Sequence, residues 1–253
     1  MDRARSLLGS LIVAGLVCWG PAVARAQADS TAHRLAIDAS TLRPGTFVYE
    51  TSLERDASTT PLGTRTVSVS QTPIAGAPAW LLLETRTGDG IPAADSLYVD
   101  PVTLRPIHWS STIGQAKLAA EFQGDTLYAG ASAPPGRRSV IAAVPPGTIA
   151  SSAMLETELR LLPLQTAWED STNTLSLTLS GLVVYPTRLA VIGEDRVHVG
   201  AGDFDCWVVA VHTDVSRGLF WVTKHDPIVV RSTLDVPTLG GAQYVSSLAR
   251  IAQ

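Results

Sequence analysis

The side chains best able to carry chemistry in this chain are histidines, carboxylates and cysteines, and none has a spacing that defines a site. The five histidines include no pair at the i, i+4 spacing that places two metal ligands on one helix face. His212 and Asp214 lie two residues apart on a predicted strand, where such polar residues are usually only solvated. We therefore predict no metal site and no cofactor.

Motifs for nucleophilic catalysis are also missing. The sequence has no G-x-S-x-G elbow, no S-x-x-K pair and no glycine-rich phosphate loop. Cys206 has Phe204 and Val208 on its own strand face, which indicates a buried thiol, since reactive thiols need open, electropositive surroundings. We predict no catalytic residue and no enzyme activity, although a hydrolase with an unrecognised site remains an alternative.

Aromatic side chains are the remaining candidates for binding. Most aromatic residues on strands pack in the core or against neighbouring strands. The others would line an apolar concavity if the sheet were curved, next to the apolar stripe of a neighbouring helix. The predicted ligand-binding residues are Tyr98, Trp109, Phe122, Leu155, Leu159 and Trp221.

The elements that must position these side chains are mostly β-strands. From residue 46 onward apolar residues often recur at every second position, as in Phe47, Tyr49 and Leu53, which is the period of a half-buried strand. Turn residues separate these runs at intervals of about 8–12 residues, typical of antiparallel hairpins. We predict a mainly β fold, a curved antiparallel sheet or open half-barrel of about twelve strands.

One helix is predicted among the strands, at about residues 152–162. Pro163 ends it, because the residue before a proline is pushed out of the helical region. The helix is expected to cover the concave side of the sheet with one apolar stripe. That stripe consists of Met154, Leu155, Leu159 and Leu162. The outer side would carry Glu156, Glu158 and Arg160.

The rest of the chain is divided by prolines and by a polar stretch near the N-terminus. Two Pro-Pro-Gly triplets, at 134–136 and 145–147, favour a long loop over residues 130–150, with a domain boundary as the alternative. Residues 27–45 are predicted to be a flexible lead-in. Residues 46–253 would then form a single β domain.

The N-terminus has the pattern of a secretory signal peptide. Arg3 and Arg5 precede a short apolar run, and Ala24-Arg25-Ala26 ends the segment with small residues at the cleavage positions. The run is too short to cross a bilayer, which needs about 20 residues. We therefore expect residues 1–26 to be removed and the chain to be exported, without a transmembrane segment.

The charge balance limits the classes of partner. The chain carries 19 basic and 23 acidic side chains, and the expected leader would remove three of the arginines. An acidic chain without clustered Lys or Arg does not favour nucleic-acid binding or an anionic membrane surface. An envelope protein or an apolar ligand remains as a partner.

Four stretches resemble a family of bacterial exported β domains of unknown function, the domain of unknown function 3108. The segments that carry this resemblance are Val99–Pro106 ("D-x-x-T-L-x-P"), Leu159–Leu164, Val197–Trp207 ("V-x-x-G-x-F-x-C") and Phe220–Lys224 with Val229–Arg231. The family is similar in architecture to the periplasmic lipoprotein-carrier fold, an open half-barrel whose helix-covered concave face can hold acyl chains. The resemblance thus implies apolar-ligand binding.

Together these features predict an exported, non-enzymatic β protein that binds an apolar ligand, such as lipid or lipoprotein acyl chains, in the cell envelope. It would be periplasmic, associated with the outer envelope, or secreted. The alternative is a ligand-free interaction or scaffold module that pairs an exposed strand edge with an envelope partner.

Overall fold

The computed structural model describes residues 35–88, 92–133, 136–145, 147–150, 152–178 and 181–252. The expected signal peptide and its cleavage site lie outside these residues.

Within these residues, fifteen strands form one sheet. They are β1 (Gly45–Arg55), β2 (Ser58–Gln71), β3 (Trp80–Thr87), β4 (Ala93–Val99), β5 (Pro106–Ile113), β6 (Ala116–Gln123), β7 (Thr126–Ala133), β8 (Gly136–Ala143), β9 (Ile149–Ala150), β10 (Glu169–Thr178), β11 (Gly181–Val199), β12 (Gly202–Thr213), β13 (Arg217–Thr223), β14 (Val229–Val236) and β15 (Ala242–Ala252). The predicted antiparallel β fold is confirmed, but about twelve strands was too few. Both β8 and β9 lie in the segment 130–150, which was predicted to be a long loop because Pro-Pro-Gly triplets bracket its middle.

The strand order shows two meanders that meet in the middle of the sheet. Strands β1 to β8 run outward in sequence order on one side, and β15 to β9 run outward on the other. β1 and β15 pair with each other at the centre. Every neighbouring pair is antiparallel except β9 and β10, which pair in parallel through only two residue pairs.

The sheet must be strongly curved, because its two edge strands are close together in the chain. A flat sheet of fifteen strands would be about 67 Å wide at about 4.8 Å per strand. Residues 144–148, which connect the edge strands β8 and β9, span at most about 20 Å. The edges are not paired with each other, so the sheet rolls up without closing, as the half-barrel prediction required.

The helix α1 (Ser152–Leu159) shares one core with strands of both meanders, which places it on the concave side of the sheet. It follows β9 directly and contacts β3. Met154 and Leu159 of α1 are buried in the main core, which also contains Leu82 and Leu97 of the sheet. Helix geometry ends three residues earlier than predicted, and a turn in which the Leu161 amide donates to the Glu158 carbonyl follows it.

Part of the predicted flexible lead-in is packed against the core. Leu35 and Leu42 are buried there, on either side of a short 3-10 turn at Ala39–Thr41. The Asp38 side chain accepts a hydrogen bond from the Ser40 amide at 3.1 Å and thereby caps this turn. Leu35 and Leu42 are therefore core residues, although the stretch around them is mostly polar.

Candidate functional site

A pocket of about 260 Å³ lies beside α1. Its wall combines the N-terminal segment, the β4–β5 and β6–β7 turns, the connection between the two edge strands, and one side of the helix. The lining residues are Leu35, Ile37, Leu104, Arg105, Pro106, Phe122, Gly124, Asp125, Val144, Pro145, Gly147, Thr148, Met154 and Glu158. Five separate parts of the chain thus converge on one small concavity.

The pocket combines apolar walls with the buried side chain of Glu158 and a charged rim. Phe122 and Met154 supply large apolar surfaces. At the rim, the Arg105 guanidinium forms an ion pair of 2.8 Å with Asp125, and both side chains are more than half exposed. An apolar concavity with a few polar groups is the usual form of a small-molecule site, although most such sites measure about 300–1,000 Å³.

The β4–β5 turn that forms one wall is held by a single carboxylate. Asp100 accepts hydrogen bonds from the amides of Val102, at 3.0 Å, and Thr103, at 2.6 Å. Leu104 then adopts a φ of 50°, which is uncommon for a residue other than glycine, and its side chain is buried. This turn is the "D-x-x-T-L-x-P" motif, and it places Leu104 and Arg105 at the pocket.

Beneath the helix lies a network of buried charges. Arg65 of β2 donates one hydrogen bond to Glu156 of α1 and another to Glu84 of β3, both at 2.9 Å. Arg86 forms a second ion pair with Glu84 and lies 4.0 Å from Asp95. Arg65, Glu84 and Glu156 are all buried. Buried charges of this kind persist only where partners neutralise them.

The carboxylates of this network have pKa values shifted in opposite directions. Burial alone would raise the pKa of Glu84, but the guanidinium groups of Arg65 and Arg86 lower it to about 2. Burial raises the pKa of Glu156, and Arg65 offsets this only in part. Burial also raises the pKa of Asp95. Glu84 is therefore the carboxylate most strongly held in its ionised form.

A tyrosine completes the network on the β1 side. The Tyr49 hydroxyl donates to the Val229 carbonyl at 2.9 Å, and the Arg65 guanidinium lies 5.3 Å from the centre of its ring. Burial raises the pKa of Tyr49, so this phenol stays protonated at neutral pH. The contacts join the sheet and the helix, and we interpret the network as structural.

Among the described side chains of the helix, residues 154–159, none is exposed, contrary to the sequence prediction. Residues four apart lie on the same side of a helix, and each side of α1 contacts a different part of the protein. Met154 and Glu158 line the pocket, Leu155 and Leu159 pack in the main core, and Glu156 pairs with Arg65. The prediction that Glu156 and Glu158 face solvent was wrong, since both are buried.

Arg160, also predicted to be outside, lies just beyond the helix against the sheet. Its guanidinium is 4.7 Å from the centre of the Phe47 ring, and its Nε donates to the Pro227 carbonyl at 2.9 Å. Burial lowers the pKa of Arg160, while Tyr49 and Glu156 oppose that shift. The side chain therefore ties the end of the helix to the loop before β14.

The predicted ligand-binding residues divide into two groups. Phe122 is half-buried and lines the pocket. Trp109 and Leu159 are buried in the main core, and Leu155 packs against it. These four residues lie on the concave side with α1, although only Phe122 reaches the pocket. Trp109, Leu155 and Leu159 do not line a concavity, because they pack into the core that fills the space around them.

Tyr98 and Trp221 lie away from the pocket. Tyr98 alternates on β4 with the core residues Leu97 and Val99, so it occupies the other face of the sheet. Its ring centre is 6.1 Å from that of His108.

Trp221 likewise alternates on β13 with Phe220 and Val222, both in the main core. Its Nε1 donates to Asp195 at 3.0 Å, and Arg231 lies over its ring at 5.3 Å. Trp221 also packs against a second apolar cluster that contains Cys206 and Val230, so the structure gives it a packing role.

Sequence reasoning did not identify Arg65 and Glu84, although a signal for them exists. On β2, Arg65 shares its side with the buried residues Val67 and Val69, and on β3 Glu84 shares its side with Leu82. An inward-facing charge in an alternating strand requires a partner. Two such residues of opposite sign on neighbouring strands therefore indicate a buried ion pair.

Cys206 is buried and free, as predicted. Desolvation raises the pKa of its thiol to about 11, so the thiolate is scarce at neutral pH. Across the described parts of the chain, no group of three or more His, Cys, Asp or Glu residues is placed to hold a metal ion. None of the helices in those parts is long and apolar enough to cross a membrane.

Comparison with solved structures gives a match of low similarity. A crystal structure of a candidate exported protein with a YmcC-like fold from Bacteroides fragilis NCTC 9343 aligns with a TM-score of 0.31 and 11% sequence identity. The alignment covers 84% of this chain and 97% of that chain. Similarity at this level supports no conclusion about the present chain.

Comparison with sequence families is more informative. No curated protein matches the sequence. The model of the family of proteins of unknown function DUF3108 matches residues 37–241, a range that contains all four motifs on which the resemblance rested. The chain belongs to the DUF3108 family.

Proposed function

We propose that this is an exported, non-enzymatic protein that holds an apolar group, such as part of a lipid acyl chain, in the pocket beside α1. The observation that carries the proposal is the convergence of Phe122, Met154 and Val144 from three separate elements on one pocket. Apolar side chains that share a pocket gain free energy when an apolar ligand replaces water there.

The size and the rim of the pocket define the ligand class. At about 260 Å³ the pocket accepts a short or branched apolar group, or the end of a longer chain. The exposed Arg105–Asp125 pair at the rim would meet a polar headgroup or linker. A lipid or lipoprotein acyl chain has this combination of an apolar end and a polar attachment.

The proposed location is the cell envelope. It rests on the signal-peptide pattern of residues 1–26, in which a basic head, a short apolar run and small residues at the cleavage positions follow one another. Lipids and acylated lipoproteins are the apolar molecules that an exported protein meets there. Whether the protein is periplasmic, bound to the outer envelope or secreted is decided by cell fractionation.

The direct test is binding of a fluorescent fatty acid to delipidated protein. We expect a micromolar dissociation constant, which corresponds to about −8 kcal/mol, and displacement by unlabelled lipid. Phe122→Ala should weaken binding at least fivefold, because it removes an aromatic wall of the pocket. Tyr98→Ala is the matched control, since Tyr98 is also a half-buried strand aromatic but lies on the other face.

Two results would contradict the proposal. One is the absence of binding by folded protein across fatty acids, phospholipids and acylated peptides. The other is equal weakening by both alanine variants, because that would mean the probe adheres to the surface of the sheet.

A second candidate function, pairing with an envelope protein, is favoured by the edge strand β8. β8 is eight residues long and has a neighbour on only one side. Ile141 on this strand is 71% exposed and lies opposite the exposed Tyr128 of β7. An exposed edge strand with apolar residues can add a partner strand. Ile141→Lys should abolish cross-linking to a partner in envelope extracts and leave fatty-acid binding unchanged.

A further inference from the structure

We infer that the free edge of β8 binds one extended polypeptide segment that carries an acidic and an apolar side chain four residues apart. The segment would pair with β8 and add a strand to the sheet. This inference rests on the second candidate function, strand pairing at β8, and names the chemistry of the partner. It does not depend on a ligand in the pocket.

The first observation is the alternation of side chains along β8. Arg137, Ser139 and Ile141 are exposed, and they lie on the outer face of the sheet, away from the core. Val140 lies between two of them and packs against the main core. Among the described residues, β8 has a neighbour only on the β7 side. Its other side therefore has backbone groups that an added strand can bind.

An apolar patch lies towards the C-terminal end of this edge. Ile141 is opposite Tyr128 of β7, and both side chains are exposed. The next residue in the same cross-strand row is Glu121 of β6, which is paired with His108. The two apolar side chains thus stand together at the edge. An apolar side chain of a paired segment would remove them from water.

Two cations lie at the other end of the edge. Arg137 is opposite Ser132 of β7, and Ser132 is opposite Lys117 of β6, so the three residues share one row of the outer face. Arg137 and Lys117 are both exposed, and neither forms an ion pair with another described residue. A carboxylate in the paired segment would complement these charges and fix its register.

The spacing between the two ends defines the partner. Arg137 and Ile141 are four residues apart on one face of β8, which is about 13 Å along an extended strand. Ser139, between them, is opposite Gly130 of β7, so the middle of this surface has only small side chains. A paired segment therefore needs its carboxylate and its apolar side chain on one face, four residues apart.

The room at this edge favours a single segment. Residues 144–148 follow β8 and keep the start of β9 within about 20 Å of its end. An added strand needs about 4.8 Å on each side, which this distance allows. A folded domain of about 100 residues has a radius of gyration of about 13 Å and does not fit. The inferred partner is therefore an extended tail or loop, and not a second folded copy of this chain.

The test is fluorescence anisotropy with labelled peptides of about nine residues on a threonine and serine background, which favours extended structure. One peptide carries glutamate four residues before isoleucine, and the other carries the two in the opposite order, so that both directions of pairing are sampled. We expect one of them to bind the full chain with micromolar affinity. Replacement of its glutamate by lysine should weaken binding at least about fivefold. Arg137→Glu combined with Lys117→Glu should reverse this preference.

The apolar end has a matched control. Ile141→Lys should weaken peptide binding at least about tenfold. Ile192→Lys makes the same change at an exposed isoleucine of β11 and should leave binding unchanged. Equal weakening by the two variants would overturn the inference, and so would equal binding of the glutamate and lysine peptides.

Backbone methylation tests the pairing itself. Only every second amide of an added strand points towards its neighbour. N-methylation of one alternate set of peptide amides should therefore abolish binding, and methylation of the other set should not. The same effect from both sets, or no binding of either peptide order, would contradict an added strand.

Fatty-acid binding, measured on the same variants, separates this inference from the pocket. Ile141→Lys should leave it unchanged. Peptide binding without fatty-acid binding would leave the edge site standing and overturn the pocket ligand. Fatty-acid binding without peptide binding would do the reverse. Cross-linking through β8 in envelope extracts without peptide binding would keep the second candidate function and overturn the acidic and apolar specificity.

Discussion

Arg65 and Glu156, which are 91 residues apart in sequence, form a buried ion pair of 2.9 Å that joins strand β2 to helix α1. The same guanidinium holds Glu84 on the neighbouring strand. One cation thus fixes both the helix and the adjacent strand. The position of the helix, and with it the shape of the pocket, depends on this arginine.

Loss of the helix carboxylate should be costly. Glu156→Ala removes one partner of a buried pair and should lower the free energy of unfolding by about 3–5 kcal/mol, as measured by urea denaturation at pH 7. Glu121→Ala breaks an exposed pair and should cost at most about 1 kcal/mol. Losses of similar, small size in both variants would show that α1 is not docked through Glu156.

Leu159 should stabilise the folded protein through packing alone. Its side chain is fully buried in the main core, whereas Leu155 on the same side of the helix is only partly buried. Leu159→Ala should lower the free energy of unfolding by about 2–5 kcal/mol through lost contacts and the cavity left behind. Leu155→Ala should cost clearly less. The reverse order would mean that the helix is rotated about its axis.

Lowering the pH should weaken the buried ion-pair network, because Glu84 becomes protonated. Because the pKa of Glu84 is lowered from 4.5 to about 2 in the folded protein, its ionised form contributes stability above pH 4.5. That contribution, about 3 kcal/mol, is lost as the pH falls from 4.5 towards 2. The pKa values of Glu156 and Asp95 are raised, so their contributions have the opposite sign.

A variant isolates the Glu84 contribution. Glu84→Gln should be less stable than the parent at pH 6, and the difference between their urea midpoints should shrink as the pH is lowered through 4.5 to 3. A difference that stays constant over this range would show that Glu84 titrates at its ordinary pKa in the folded state.

The turn that forms one wall of the pocket should depend on Asp100. Asp100→Ala removes the acceptor of two backbone amides and should lower the free energy of unfolding by about 1–3 kcal/mol. Asp100→Asn retains an acceptor oxygen and should cost less than half as much. Thermal denaturation of both variants measures this. Equal losses would mean that the charge, and not the hydrogen bonds, holds the turn.

The antiparallel half-barrel could be predicted because apolar and polar residues alternate along strands such as β1. This pattern can be read from a short stretch of sequence. In β1, Phe47, Tyr49 and Leu53 are buried as the alternation requires. The strands β8 and β9 were not predicted because Pro-Pro-Gly triplets flank them, and local turn chemistry outweighed a weak strand pattern. The family could be recognised from its motifs, several of which are turns fixed by side chains, such as Asp100.

The environment of the helix could not be predicted, because it depends on the closure of the sheet. An apolar stripe normally marks one buried side, with charges outside. Here the sheet curls round α1, and Glu156 is neutralised by Arg65 from a strand far away in sequence. Trp109 and Tyr98, which both seemed available for a cleft, lie on opposite faces of the sheet because Trp109 pairs with Leu97, the neighbour of Tyr98 on β4.

The central claim is that an apolar ligand occupies the pocket beside α1. Native mass spectrometry of protein purified from its own cell envelope tests it most directly. The account predicts an additional mass that fragments as a lipid or acyl group, lost in Phe122→Ala and retained in Tyr98→Ala. Recovery of both proteins at their unliganded mass, together with no uptake of added lipid, would contradict it.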